Sequence, residues 1–227
     1  PSAFALPSVN ADPASVAGAY VQTDPGDVVC FLDGTYLLTS TLVVSRSGNS
    51  SNWIVYKPYN TDGALFEWNS ATASSFMFKL TGGVHHVEIQ GLRFDGNGAN
   101  NDKGPNNNAM YCITESGDSD FSHHLRFINN KIESTGAAGI GTRRCDYITI
   151  QGNKIHRAGT PGGSGWSSGI SLNLIVWYEK VTLIKVKQLQ WSVQYGMNVT
   201  SEQLIEDSNI QGLAVSSNTS STPAKTV

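Results

Sequence analysis

The sequence predicts an all-β chain wound as a parallel β-helix, and three observations carry that prediction. An eight-residue phrase recurs, as VEIQGLRF at 87–94, LRFINNKI at 125–132 and ITIQGNKI at 148–155. Each copy has alternating apolar residues, a polar or Gly/Asn break and a second apolar stub, and recurrence at tens of residues marks a solenoid. The second observation is composition. With 23 Gly and only 15% charged residues, the chain suits short strands joined by many turns. The third is spacing. The phrase returns after 38 residues and then after 23, and the excess falls in the polar segments 95–108 and 115–122. Insertions that leave a repeat intact belong in loops outside the stack.

The elements follow in order. Residues 1–25, rich in Pro, Ala, Ser and Asp, read as an irregular N-terminal cap with one short helix at 13–20. Pro25-Gly26-Asp27 is a turn, Val28–Leu32 a strand, Asp33-Gly34 a second turn and Thr35–Val44 further strand. Trp53–Tyr56 is strand again, followed by turn residues to Gly63. Phe76–Leu80 and His86–Ile89 are strands, Gly91 breaks the second, and Leu92–Phe94 is a stub. The cycle restarts at Met110–Thr114, Gly139–Thr142 and Gly169–Leu174. Alternation places Val87 and Ile89, Leu125 and Phe127, and Ile148 and Ile150 inward, stacked coil on coil. Leu92, Asn130 and Asn153 share one corner position. Asn tolerates the left-handed backbone of such a corner, and stacked Asn side chains bond between coils. From Ile175 the Gly and Asn corners are lost, so 26–174 is the β-helix and 175–227 its divergent C-terminal coils or cap.

Several functions are excluded or set aside. Net charge is −3 without runs of Lys or Arg, which argues against a nucleic-acid partner. No run of 18 apolar residues exists, so no transmembrane helix and no membrane partner are expected. Cys30, Cys112 and Cys145 fit no zinc spacing. Cys112 and Cys145 sit in apolar strand positions and read as small buried hydrophobes, a disulfide being possible but not indicated.

Pro25-Gly26-Asp27 with Asp33-Gly34-Thr35-Tyr36, Gly91-Leu92-Arg93-Phe94-Asp95-Gly96-Asn97, Gly152-Asn153-Lys154-Ile155 and Ser168-Gly169-Ile170-Ser171 resemble secreted right-handed parallel β-helix proteins. That group is similar to the pectate lyases and related polysaccharide-degrading enzymes. The resemblance covers roughly residues 24–174. It implies a right-handed, single-stranded coil, a secreted chain and an extracellular polysaccharide as partner. Related chains often carry a His-x-Asp-Gly-Asn-Gly stretch before an Ile-Glu-Asp region. Here Ser201-Glu202-Gln203 runs straight into Leu204-Ile205-Glu206-Asp207, so the chain looks like a shortened or rearranged member. An open last coil would then favour end-to-end self-association.

The stacked strands offer a flat ladder to a sugar polymer. If Phe78, Leu80, Met110, Cys112, Ile140, Thr142, Ile170 and Leu172 point inward, then Lys79, Tyr111, Arg143, Ser171 and Asn173 point outward. Lys79 and Arg143 could neutralise a uronate carboxylate and so prepare β-elimination, a Lys, Arg, Tyr or His removing the proton. The plainer reading is a solvated cationic face. Tyr111, Ser171 and Asn173 would contact substrate, and Trp166 in the Gly-rich loop would give a sugar platform. Hydrolysis instead needs two carboxylates across the scissile bond. Glu115 and Asp118, with Asp120, lie in an inserted loop beside the ladder, whereas Asp95 and Asp146 abut turns. The chemistry requires no cofactor. Loop 95–108 nevertheless carries oxygen donors of the type calcium uses, Asp95 and Asp102 among them, without an EF-hand register. His85-His86 and His123-His124 precede the same strand of successive coils and read as turn residues before a metal ladder. Three readings stay open: an eliminative enzyme, a hydrolase with paired carboxylates, and a carbohydrate-binding module without catalysis.

Overall fold

The computed structural model describes residues 23–68, 76–96, 108–115, 120–158, 169–173, 180–184 and 198–200. Those residues form strands and turns, with no helix among them, and the strands lie in three parallel sheets. Sheet A has seven strands: β1 (Val28–Phe31), β4 (Ile54–Pro58), β7 (His85–Gln90), β10 (Ser122–Ile128), β13 (Cys145–Gln151), β16 (Lys180–Ile184) and β17 (Asn198–Thr200). Sheet B has five: β2 (Gly34–Leu38), β5 (Ala64–Trp68), β8 (Arg93–Asp95), β11 (Lys131–Glu133) and β14 (Lys154–His156). Sheet C also has five: β3 (Leu42–Val44), β6 (Phe76–Leu80), β9 (Asn108–Ile113), β12 (Ile140–Arg143) and β15 (Ile170–Asn173). The chain visits A, B and C in turn and then begins again one layer on, an architecture consistent with a parallel β-helix. β16 and β17 continue sheet A beyond Leu174, where the Gly and Asn corners fade. The expected cap, 1–22 above all, lies outside the described residues.

Period-two burial holds the coils together. Leu125 pairs with Val87 and Ile148, and Phe127 with Ile89 and Ile150, as the alternation requires. All six are buried. The interior is also an aromatic stack. Tyr36, Phe66 and Phe94 share one register on adjacent strands of sheet B, with ring centroids 4.8 and 5.5 Å apart. Phe31 and Phe78 meet Phe66 edge-on at 4.8 and 5.0 Å. Stacked and edge-on rings satisfy the aromatic quadrupole while filling a core one strand-width deep. β5 is a strand that the sequence reading passed over, yet it supplies Phe66 at the centre of this stack.

The corner between sheets A and B is tied by asparagines. Asn130 Nδ2 donates to Ile89 O and to Asn153 Oδ1, both at 2.9 Å, and Asn130 Oδ1 accepts from Leu92 N at 3.0 Å. Asn153 Nδ2 donates to Phe127 O at 2.7 Å. Both side chains are buried, so each amide satisfies backbone groups that a corner would otherwise leave unpaired.

One reading is corrected at the opposite end of sheet A. Cys112 and Cys145 form a disulfide with Cα atoms 6.4 Å apart, spanning 33 residues. Cys112 ends an inward row of β9, and Cys145 opens β13 after the next turn of the coil. Both are buried, as their apolar setting implied, but they are a covalent staple between successive coils. Cys30 is buried and unbonded, and burial pushes its thiol above the usual range. No helix among the described residues is long and apolar enough to cross a membrane.

Candidate functional site

The outer face of sheet C gathers several of the expected side chains. Lys79, Tyr111, Gly141 and Ser171 are mutual register partners across β6, β9, β12 and β15. Two residues along, Arg143 pairs with Ile113 and Asn173. Phe78, Leu80, Met110, Cys112, Ile140, Thr142 and Ile170 are buried, so the inward row is as alternation places it. Lys79 and Tyr111 are half-buried and Arg143 is exposed. Ser171 shares the row but is buried at 5% exposure, which removes it from the open face. Asn173 is placed by backbone pairing alone.

Tyr111 lies flat over Gly141, where a Cβ would collide with its ring. It also stacks on Phe76 at 4.6 Å. Glycine at 141 therefore makes the shelf on which the phenol rests. Burial pushes the Tyr111 hydroxyl above its usual range; Arg143 opposes that rise and Glu115 adds to it. The phenol thus keeps its proton and is a hydrogen-bond donor at neutral pH.

Glu115 is the acidic member of this cluster. Its carboxylate accepts from Lys79 Nζ at 3.0 Å, and its backbone carbonyl accepts from Arg144 at 3.0 Å. Strict alternation along the strand would face Arg144 away from Arg143. Its backbone is left-handed, with φ of 56°, and this breaks the alternation and brings Arg144 to the same side as Glu115. The structure thus joins Lys79, Tyr111, Glu115, Arg143 and Arg144 in one neighbourhood. Asp118, Trp166 and Asp102 lie outside the described residues. Asp95 is in sheet B, away from sheet C, in register with Glu67 and Glu133. Among the described residues no group of three His, Cys, Asp or Glu is arranged to hold a metal ion.

The paired histidines form a second cluster, at the start of sheet A. His85 and His123 are register partners, and His123 pairs in turn with Asp146. His86, His124 and Tyr147 follow them with φ of 55°, 51° and 48°. These left-handed residues drop out of the pairing register, so both members of each His pair point to the outside. The rings stack between coils: His85 on His123 at 4.8 Å, His86 on His124 at 4.7 Å and His124 on Tyr147 at 4.6 Å. Within each pair the Nδ1 atoms are 2.9 and 2.6 Å apart, a hydrogen bond that needs one nitrogen to be unprotonated. Burial lowers the proton affinity of His86 and His123, and the neighbouring imidazoles lower it further. A hollow of about 420 Å³ opens here, lined by His85, His123, His124, Asp120, Asp146 and Tyr147 among others.

No protein-family model matches the chain, and no curated protein matches it either.

Proposed function

We propose that this chain is an extracellular β-helix protein that degrades an acidic, uronate-containing polysaccharide by β-elimination at the outer face of sheet C. The observation that carries this reading is the convergence of Lys79, Tyr111 and Arg143 on adjacent strands of one exposed face. Right-handed coiling accords with the strong preference for right-handed crossovers between parallel strands. The Cys112–Cys145 disulfide supports an oxidising, secreted setting.

The chemistry assigns a role to each group. The Arg143 guanidinium pairs with the uronate carboxylate and drains charge from the adjacent carbon, which acidifies its proton. Tyr111, which holds its proton, donates to the departing glycosidic oxygen. Lys79 accepts the carbon-bound proton only as the neutral amine, so its ammonium must first lose a proton to water, a loss that pairing with Glu115 opposes. Substrate entry must therefore open the Lys79–Glu115 bridge.

A non-catalytic binding module is the second reading, and that same closed bridge favours it. Incubation with a panel of polysaccharides separates the possibilities. An unsaturated product absorbing in the ultraviolet supports elimination, new reducing ends without it support hydrolysis, and binding alone supports the module. Arg143→Ala is expected to abolish elimination, and unchanged turnover would remove Arg143 from the mechanism. Glu115→Gln releases Lys79 and is expected to preserve elimination. Hydrolysis through Glu115 would instead be lost in that variant.

A further inference from the structure

Each copy of the recurring phrase carries a cation at its seventh position: Arg93, Lys131 and Lys154. The fold stacks these three in register on the outer face of β8, β11 and β14. Neighbouring strands lie about 4.8 Å apart, so this is a ladder of like charges at one-coil intervals. Like charges directly opposite one another on adjacent strands destabilise a sheet. Asp62 offsets part of the cost. Its carboxylate accepts from Lys131, its backbone carbonyl accepts from Arg93 at 3.3 Å, and its acidity is raised first by the Lys131 hydrogen bond and further by the cations around it. Among the described residues, Asp62 is the one carboxylate lining the hollow at this corner beside Lys57, Lys131 and Lys154, so its wall is net positive on a chain whose net charge is −3.

That corner is also concave. A hollow of about 490 Å³ lies between sheets A and B, with Lys57, Asp62, Lys131 and Lys154 around it. Its floor is made by the left-handed corner residues Gly91, Asn129 and Gly152, at φ of 67°, 53° and 65°. A Cβ at Gly152 would collide with Asn129 Oδ1, so glycine there keeps the floor low and lets the amide lie across it. At the lip stands Tyr59, a large aromatic left 64% exposed. Cations recognise carboxylates or sulfates, and an exposed tyrosine ring covers the apolar face of a sugar. Two residues beyond the basic row, Glu67, Asp95 and Glu133 form an acidic row on the same sheet.

We infer that this corner groove binds an acidic polysaccharide, its cations at one-coil intervals pairing with successive anionic sugars and Tyr59 packing on a sugar face. The site is separate from the outer face of sheet C. It shares the ligand class proposed there but requires no catalysis, so the two readings can fail independently.

The test uses the full chain in the Arg143→Ala background, which removes the proposed turnover, and an oligogalacturonate of defined length as probe. Calorimetric titration is expected to show binding that weakens with added salt. Lys57→Gln with Lys154→Gln should weaken it by about tenfold and flatten the salt dependence, as expected if each cation contributes under 1 kcal/mol. Tyr59→Ala, a second variant at an exposed ring, should weaken binding without changing the salt dependence. The fully methyl-esterified oligomer, the same sugars without charge, should not compete. Undiminished binding by the Lys57/Lys154 variant, or equal binding of the methyl ester, would overturn the proposal. Competition by inorganic sulfate at the same charge concentration as the oligomer would reduce the site to a simple anion site and overturn the sugar assignment.

Discussion

Asn130 shows what one side chain does for a coil corner. Its amide serves Leu92 N, Ile89 O and Asn153 Oδ1 at once, inside a region with no solvent exposure. Leu92 occupies the equivalent position one coil earlier, where no such amide is present, so the ladder begins at Asn130. Asn130→Ala leaves Leu92 N buried without its partner, which should cost about 1–3 kcal/mol for the orphaned group. Urea denaturation would show it as a lower midpoint with unchanged slope. The stacked histidines act through protons instead. His86 and His123 bind protons less tightly in the folded chain than in the unfolded one, burial being the first cause and neighbouring imidazoles the next. Asp120 and Asp146 oppose the shift at His123, and Arg126 adds to it at His86. The unfolded chain therefore takes up more protons as pH falls. The stabilisation is complete above the ordinary histidine value of about 6.5 and is lost as pH drops below it toward the lower folded values. Melting temperature should fall on that acid side. His86→Asn with His123→Asn should flatten the profile, since Asn accepts the left-handed backbone at 86.

At the scale of elements, the disulfide joins the end of a sheet C strand to the start of a sheet A strand one coil on. Closing a loop of 33 residues in the unfolded chain restricts it substantially. Loop-closure entropy puts the stabilisation at about 3–4 kcal/mol. Cys112→Ala with Cys145→Ala should lose that amount, read from the denaturation midpoint. Sequence alone exposed the inward rows of β7, β10 and β13, because hydrophobic alternation repeats in the open at Val87, Leu125 and Ile148. It also exposed the bonding of Asn130 to Asn153 between coils, but the left-handed residues of that corner are Gly91, Asn129 and Gly152, one position earlier than the sequence placed them. It did not expose the disulfide, because pairing depends on where consecutive coils bring Cys112 and Cys145, and their apolar neighbours disguise them. β5 escaped because Ala64–Trp68 carries no recurring phrase. Alternation also misdirected Arg144, since a left-handed residue shifts the facing of its side chain and leaves no mark in an Arg codeword. The basic ladder was legible in principle: the seventh letter of every phrase is cationic, but apolar spacing drew the reading past it.

Across the whole molecule, the two proposed sites sit on different sides of the coil. From Arg143 the chain crosses all of β13, Cys145–Gln151, before it reaches Lys154. At a rise of about 3.3 Å per residue that strand alone separates the sites by about 20 Å. Groups that far apart with no shared partner act independently, within about 0.5 kcal/mol. For an oligouronate too short to reach from one to the other, Arg143→Ala should therefore weaken binding only at sheet C, and Lys57→Gln with Lys154→Gln only at the corner, neither changing the other site's affinity. A long chain behaves differently, because binding at one site raises the effective concentration of polymer at the other. For long polymer, either variant should lose more affinity than it loses for the short oligomer, and the combined variant should bind no better with length. Measuring affinity against oligomer length in a Tyr111→Phe background, which lacks the proposed proton donor and so blocks turnover, for that chain, each variant and the combination gives four curves. Independent short-chain binding at the two sites, with a length-dependent gain only where both are intact, is the outcome expected of a coil that holds one acidic polymer at the outer face of sheet C and at the corner between sheets A and B. A gain with length that survives in the combined variant would place the second contact elsewhere on the coil.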